Sequence, residues 1–324
     1  MQNSTGDIGQ AFGNKVGTSI KDSFGARVKS DFKRNRELYL LMLPILAYYV
    51  IFQYGPLFGL SIAFMDFQPA RDFFNNSFVG LKHFRAFFND YYFIRVLRNT
   101  IIISWSNLIF SFPMSIILAL LLNEIKSRRF SRVVQTVTYM PHFISTVIIA
   151  GMIIQLTAKD GAITQFLAIF GFPQSAMLNN PKLFLPVYVI SGIWQNMGWN
   201  SIIFLSALTA IDQELYEAAK IDGAGRLKQL INITLPCLMP TVIIVLILQV
   251  GRMFNIGHEK VMLLYNPLSY ETADVISTFV YRKGLLEMNW SYSSAVGLFN
   301  SAVSFMLVFG TNWLSRRTSD TSLW

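Results

Sequence analysis

Asp, Glu, Lys and Arg are absent from six stretches of the chain: 38–65, 99–123, 133–158, 183–211, 229–251 and 288–315. Each is long enough to cross a bilayer, for which a helix needs roughly 20 apolar residues. A seventh uncharged stretch, 161–181, is interrupted by Gly161, Gly171, Pro173 and Pro181. Its middle, Thr164–Phe170, predicts instead a short helix lying at the membrane surface. The pattern thus predicts an all-α polytopic membrane protein with six transmembrane helices.

Composition agrees. The 324 residues are 53% hydrophobic and only 14% charged, with a mean hydropathy of +0.43. A soluble domain carries about 25% charged residues. The formal charge of +9 does not point to nucleic acid, because the basic residues flank apolar spans. Their distribution bears on topology: with the N-terminus inside, sixteen Lys and Arg fall on the inner side and nine on the outer. The positive-inside rule therefore places both termini in the cytoplasm. The expected organisation is a tail over 1–37, a six-span domain over 38–316 and a C-terminal tail over 317–324. Within the first tail, Ile20, Phe24, Val28 and Phe32 recur every four residues amid Lys and Arg. That spacing fits an amphipathic helix on the inner surface, and a disordered solubilising tail fits as well. No signal peptide is expected, because the apolar segment begins late and no small-residue cleavage site follows it.

Several spans carry polar groups, which are costly in a bilayer unless buried in the bundle or wetted by a cavity. Span 3 has Gln135, Thr138, Tyr139, His142 and Ser145 at helical spacing. Span 4 has the densest patch, with Gln195, Asn196, Trp199 and Asn200 read as one helical face. Amides hydrogen-bond sugar hydroxyls and indole faces cover C–H surfaces, so this patch suits a carbohydrate pathway. Packing around Gly192 and Gly198 is the competing reading. Gln249, Arg252 and Asn255 follow at three-residue steps near the end of span 5. Arg252 either faces a cavity or snorkels to the outer surface. Tyr139, Gln195, Asn196, Trp199, Asn200 and Arg252 are the candidate pathway residues. The aromatic-rich loop 66–97 fits the headgroup zone or a partner's outer face.

One polar island stands apart. Residues 212–228 hold Asp212, Glu214, Glu217, Lys220, Asp222, Arg226 and Lys228, with helix-favouring Ala218 and Ala219. Gly223 can end that helix by turning left-handed. The spacing Glu217-Ala218-Ala219, Gly223, Ile233-x-Leu235-Pro236 resembles the signature of the membrane subunits of binding-protein-dependent ABC importers. Tyr139-Met140-Pro141-His142-Phe143-Ile144-Ser145, Asp222-Gly223-Ala224 and Ser322-Leu323-Trp324 are similar to motifs of its carbohydrate and polysaccharide branch, including alginate and pectin oligosaccharide permeases.

The resemblance implies a type I ABC importer permease fold in a bacterial cytoplasmic (inner) membrane. It makes Glu217, Ala218, Ala219, Lys220, Asp222 and Gly223 an ATPase-coupling segment. Implied partners are a second permease subunit, two ABC ATPase subunits and an extracytoplasmic sugar-binding protein. ATP and Mg would be bound by the ATPases and no cofactor by this chain. The sequence agrees: it has no glycine-rich phosphate loop, no metal-ligating cluster and no catalytic constellation. If Arg252 faces the cavity, an anionic, uronate-rich oligosaccharide is the expected solute. A permease for peptides or amino acids and a non-transporting scaffold or sensor are the alternatives.

Overall fold

A computed structural model describes residues 32, 34–254, 256–318 and 322. The expected amphipathic helix over 20–32 lies, apart from Phe32, outside these residues, as do Asn255 and most of the C-terminal tail. The chain divides into two units, 1–59 and 60–324.

In the first unit, helix begins at Arg36 and runs through Pro44. Its side chains are largely exposed, including Leu40, Leu41 and Phe52. Among the described residues, four helices are long and apolar enough to cross a membrane: α1 (Arg36–Phe64), α2 (Phe93–Glu124), α7 (Arg226–Arg252) and α10 (Trp290–Arg317). A bent pair, α3 (Arg128–Tyr139) and α4 (Thr146–Leu156), is a fifth candidate. Between them in sequence lie α5 (Pro181–Thr209), the short α6 (Gln213–Ile221) and, after α7, α8 (His258–Leu264) and α9 (Ile276–Tyr281). α5 has 29 residues, but its amide-rich centre leaves it outside the apolar set.

Among the described residues, three helices widen into π-helical turns at Tyr49–Tyr54, Asn107–Ser111 and Leu230–Thr234. Each turn ends two residues before a proline: Pro56, Pro113 and Pro236. Proline offers no N–H to the carbonyl four residues back and its ring crowds that carbonyl, so the preceding turn opens. A fourth, at Arg282–Leu286, has no such proline.

Span 3 departs from expectation. It is two helices meeting at 99°, not one continuous span over 133–158. Pro141 cannot continue the ladder of α3, and Met140–Phe143 tightens into a 3₁₀ turn. Ser145 then takes extended backbone and its Oγ accepts from the Ile148 N–H, capping α4. The polar stripe from Gln135 to Ser145 therefore does not run along one helix face. The expected surface segment does form a short helix, Ala162–Ala168.

Within the second unit, three buried clusters hold the helices. One joins Ile149 and Ile153 of α4 to Phe184 and Tyr188 of α5 and to Val261 and Leu264 of α8. A second gathers Phe87, Val96, Phe279, Tyr292 and Val296. A third packs Ala119 of α2 on Phe204, Leu208 and Leu238. Between helices in lipid the hydrophobic effect gives little drive, so close approach and hydrogen bonds decide. Gly198 supplies such an approach: a Cβ there would overlap the Thr138 carbonyl.

The stretch between α7 and α10 folds onto α2 through a buried carboxylate. Asp274 is fully buried. Arg282 grips it with two hydrogen bonds, at 2.9 and 2.7 Å. Arg95 adds a third contact at 3.3 Å, and the Thr278 hydroxyl donates at 2.8 Å. Asn99 donates to the Glu271 and Asp274 carbonyls at 2.9 and 3.0 Å. Burial works against the charged Arg282 guanidinium, but the Asp274 carboxylate outweighs it, so the guanidinium keeps its proton more tightly than usual.

Candidate functional site

Two regions carry candidate chemistry: the exposed island and a polar cavity among α2, α5 and α7.

The island is built as its sequence requires. The Asp212 carboxylate caps α6 by accepting from the Glu214 N–H at 3.0 Å. At the other end Gly223 has φ +75°, in the left-handed region. The Ala224 N–H reaches back to the Ala219 carbonyl at 2.8 Å, and the Gly223 N–H to the Lys220 carbonyl at 3.1 Å. This pair of bonds is the Schellman closure, which a glycine at that position allows without steric cost. Tyr216 and Ala219 face inward, and the Tyr216 hydroxyl meets the Thr234 hydroxyl at 3.0 Å. Glu214, Glu217, Ala218 and Ile221 share the opposite, exposed face at helical spacing. Ile221 is 87% exposed. α6 is thus a rigid, capped rod pinned to the base of α7, with an apolar knob facing outward.

The cavity encloses about 280 Å³. Tyr188, Gly192, Asn196 and Asn200 line it at four-residue steps along α5. Ser104, Asn107 and Ser111 come from α2, at spacings of three and four residues that place them on one face. Gln249 and Arg252 close it from α7, and Lys260 returns to it from α8. A second cavity of about 230 Å³ adjoins, walled by Trp199, Asn200, Gln249 and Phe204 among others.

Of the pathway residues expected from sequence, Asn196, Asn200 and Arg252 meet at the first cavity and Trp199 with Asn200 at the second. Gln195 does not join them. It is buried on another side of α5, because 195 and 200 are too far apart around a helix to share a face. Tyr139 is half-buried near the bend, its hydroxyl beside Ser201, and lines neither cavity. Trp199 stacks on His142 with centroids 4.7 Å apart, and His142 Nδ1 lies 3.1 Å from Asn196 Oδ1. Gly192, read from sequence as a packing glycine, Gln249, read only as a neighbour of Arg252, and Asn107 and Lys260 were not among the expected pathway residues, yet all four line the first cavity. The four-residue rhythm 188, 192, 196, 200 could have found the first; Lys260 arrives by a chain reversal that no local pattern encodes. No group of three His, Cys, Asp or Glu among the described residues could hold a metal.

A family model described as "Binding-protein-dependent transport system inner membrane component" matches residues 111–320. The chain belongs to this family. The island lies inside the matched region, and membership makes the chain a membrane permease component. The chain is 41% identical over 292 residues to the protein LplB of Bacillus subtilis strain 168, covering 90% of this chain and 92% of that protein. It is equally similar, 41% over 292 residues, to the polygalacturonan/rhamnogalacturonan transport system permease protein YteP of the same strain, covering 90% and 91%. Among solved structures, it is similar to a chain of a bacterial alginate ABC transporter in complex with an alginate pentasaccharide-bound periplasmic protein. The TM-score is 0.84 at 38% identity, covering 92% of this chain and all of that one.

Proposed function

We propose that the chain is the six-span permease subunit of an ATP-driven importer of acidic oligosaccharide. One observation carries the reading: a capped, outward-facing α6 bearing Glu217, Ala218, Ala219 and Gly223 sits in a chain 41% identical to a polygalacturonan/rhamnogalacturonan permease.

In this reading both termini are cytoplasmic, and the bent pair and α5 complete the set of six spans. A second, related permease faces the cavity. Two ABC ATPase subunits bind ATP and Mg. An extracytoplasmic binding protein delivers the solute to the loops 66–97 and 256–287. Glu217, Ala218, Ala219, Lys220, Asp222 and Gly223 form the coupling segment. When the ATPases close on ATP, α6 moves as a lever, because its caps at Asp212 and Gly223 and its tie to Thr234 make it stiff. Motion of α6 passes to α7 and α5 and switches the cavity between its two openings. Along the pathway, Asn196, Asn200 and Gln249 hydrogen-bond sugar hydroxyls, Trp199 offers an aromatic face and Arg252 meets negative charge. Tyr139 and Gln195 support this wall rather than touch the solute.

The test is ATPase activity of the assembled complex in liposomes. Stimulation by binding protein loaded with an acidic oligosaccharide is the expected result. Stimulation only by a peptide or amino acid, or by no solute, contradicts the reading.

A further inference from the structure

The first cavity carries more positive charge than its sequence suggests. Arg252 ends α7, and eight residues later Lys260 returns to the same cavity from α8. The Lys260 Nζ lies 5.2 Å from the centre of the Tyr188 ring. It is 3.7 Å from the point where a side chain at Gly192 would begin, as is Asn107 Oδ1. The rest of the lining is amide, hydroxyl and apolar, with no carboxylate. Glu259, the acid next to Lys260 in sequence, is exposed and outside the lining. Two cations lining one cavity without a counter-ion among its residues mark an anion pathway rather than a structural ion pair.

The two groups differ usefully. An arginine fork takes a carboxylate through two parallel hydrogen bonds, and a lysine acts as a compact point charge with three donors. Asn107, Asn196 and Asn200 stand nearby to take hydroxyls. Gly192 keeps the approach to Lys260 open, where any longer side chain would fill the space.

We propose that Arg252 and Lys260 form a two-cation carboxylate subsite in this cavity, taking the carboxylate of one uronate unit, with Gly192 leaving the ligand room to reach Lys260. This rests on the import reading and adds the residues that select for charge. Desolvation without an opposing carboxylate pulls the Lys260 ammonium down to about 8, so a bound anion restores what burial takes away.

The probes are trigalacturonate and its fully methyl-esterified form, which is uncharged and nearly the same size. The first readout is the thermal midpoint of the purified assembled complex at rising probe concentration, which needs no transport. Trigalacturonate is expected to raise the midpoint and the ester is not. Arg252→Gln and Lys260→Met should each weaken the apparent affinity by about tenfold or more, the loss of one charged hydrogen bond. Lys260→Arg should retain most of it, and Gly192→Met should abolish it. Equal shifts with acid and ester, or wild-type affinity in both charge-removing variants, overturn the subsite. Uptake into liposomes is the second readout. A charge-dependent shift without uptake of trigalacturonate leaves the subsite standing and removes the import reading; no shift with intact uptake does the reverse.

Discussion

The indole of Trp199 lies flat on the imidazole of His142, with 4.7 Å between ring centres and 5° between planes. The same imidazole holds Asn196 Oδ1 at 3.1 Å, and Asn196 lines the cavity. The bend between α3 and α4 and the cavity wall are therefore one packed unit, tightened by the backbone contact of Gly198 with Thr138.

Stacked aromatic pairs contribute roughly 0.5–1.5 kcal/mol beyond the area they bury. His142→Ala and Trp199→Ala should each lower the thermal midpoint, and the double variant should lose less than the sum. A double-mutant cycle on purified protein reads the coupling, expected at about 1 kcal/mol. Additivity within error contradicts a shared unit.

Gly223 makes a sharper case for sequence-level constraint. An L side chain at φ +75° costs about 1–2 kcal/mol, and proline cannot adopt that angle at all. Gly223→Ala should loosen the end of α6 and lower the amount of solute imported per ATP hydrolysed. Glu217→Lys, at an exposed position, should change stability by under about 0.5 kcal/mol while lowering the same ratio. Measuring ATP hydrolysis and uptake on one preparation separates lost coupling from lost folding.

Asp274 anchors the outer segment. Removing one partner of a buried ion pair leaves an uncompensated charge, at a cost of about 3–5 kcal/mol. Asp274→Ala should approach that loss in chemical unfolding, because Arg95 and Arg282 both depend on it. Arg282→Lys should recover little, since an ammonium cannot reproduce the two-pronged grip. A loss below about 1 kcal/mol for Asp274→Ala contradicts the anchor.

Lys260 gives a pH dependence with a definite sign. Its ammonium is lowered from an ordinary 10.5 to about 8. Between those values the unfolded chain holds a proton that the folded chain has released, so this group's contribution to stability rises with pH across that window. Below about 8 the charge is kept at full cost. Affinity for an acidic sugar runs the other way, falling as pH climbs through 8 and the ammonium is lost. Lys260→Arg should flatten that profile between pH 7 and 9, read as probe concentration for half-maximal thermal shift.

The elements that were legible from sequence are those fixed by local chemistry. Charge-free runs marked the long helices, and Glu217 to Pro236 marked the island with its glycine-terminated helix. Pro141 was noted beside His142, yet its consequence, a 99° bend, depends on Ser145 being free to cap the next helix. On α5 the expected single face is split: Gln195 turns away from the cavity that Asn196 and Asn200 line, and Gly192, four residues before Asn196, opens it. Lys260 and the Asp274 network escaped because both depend on contacts across the chain. Arg95 meets Asp274 across 179 positions, a pairing no window of sequence contains.

The most direct measurement is accumulation of labelled trigalacturonate in liposomes holding the assembled transporter, with binding protein outside for delivery and ATP supplied to the ATPase side. ATP-dependent accumulation that Glu217→Lys diminishes and Arg252→Gln with Lys260→Met abolishes is the expected result. Accumulation independent of ATP, or none while a neutral or non-sugar solute is imported, contradicts an importer of acidic oligosaccharide.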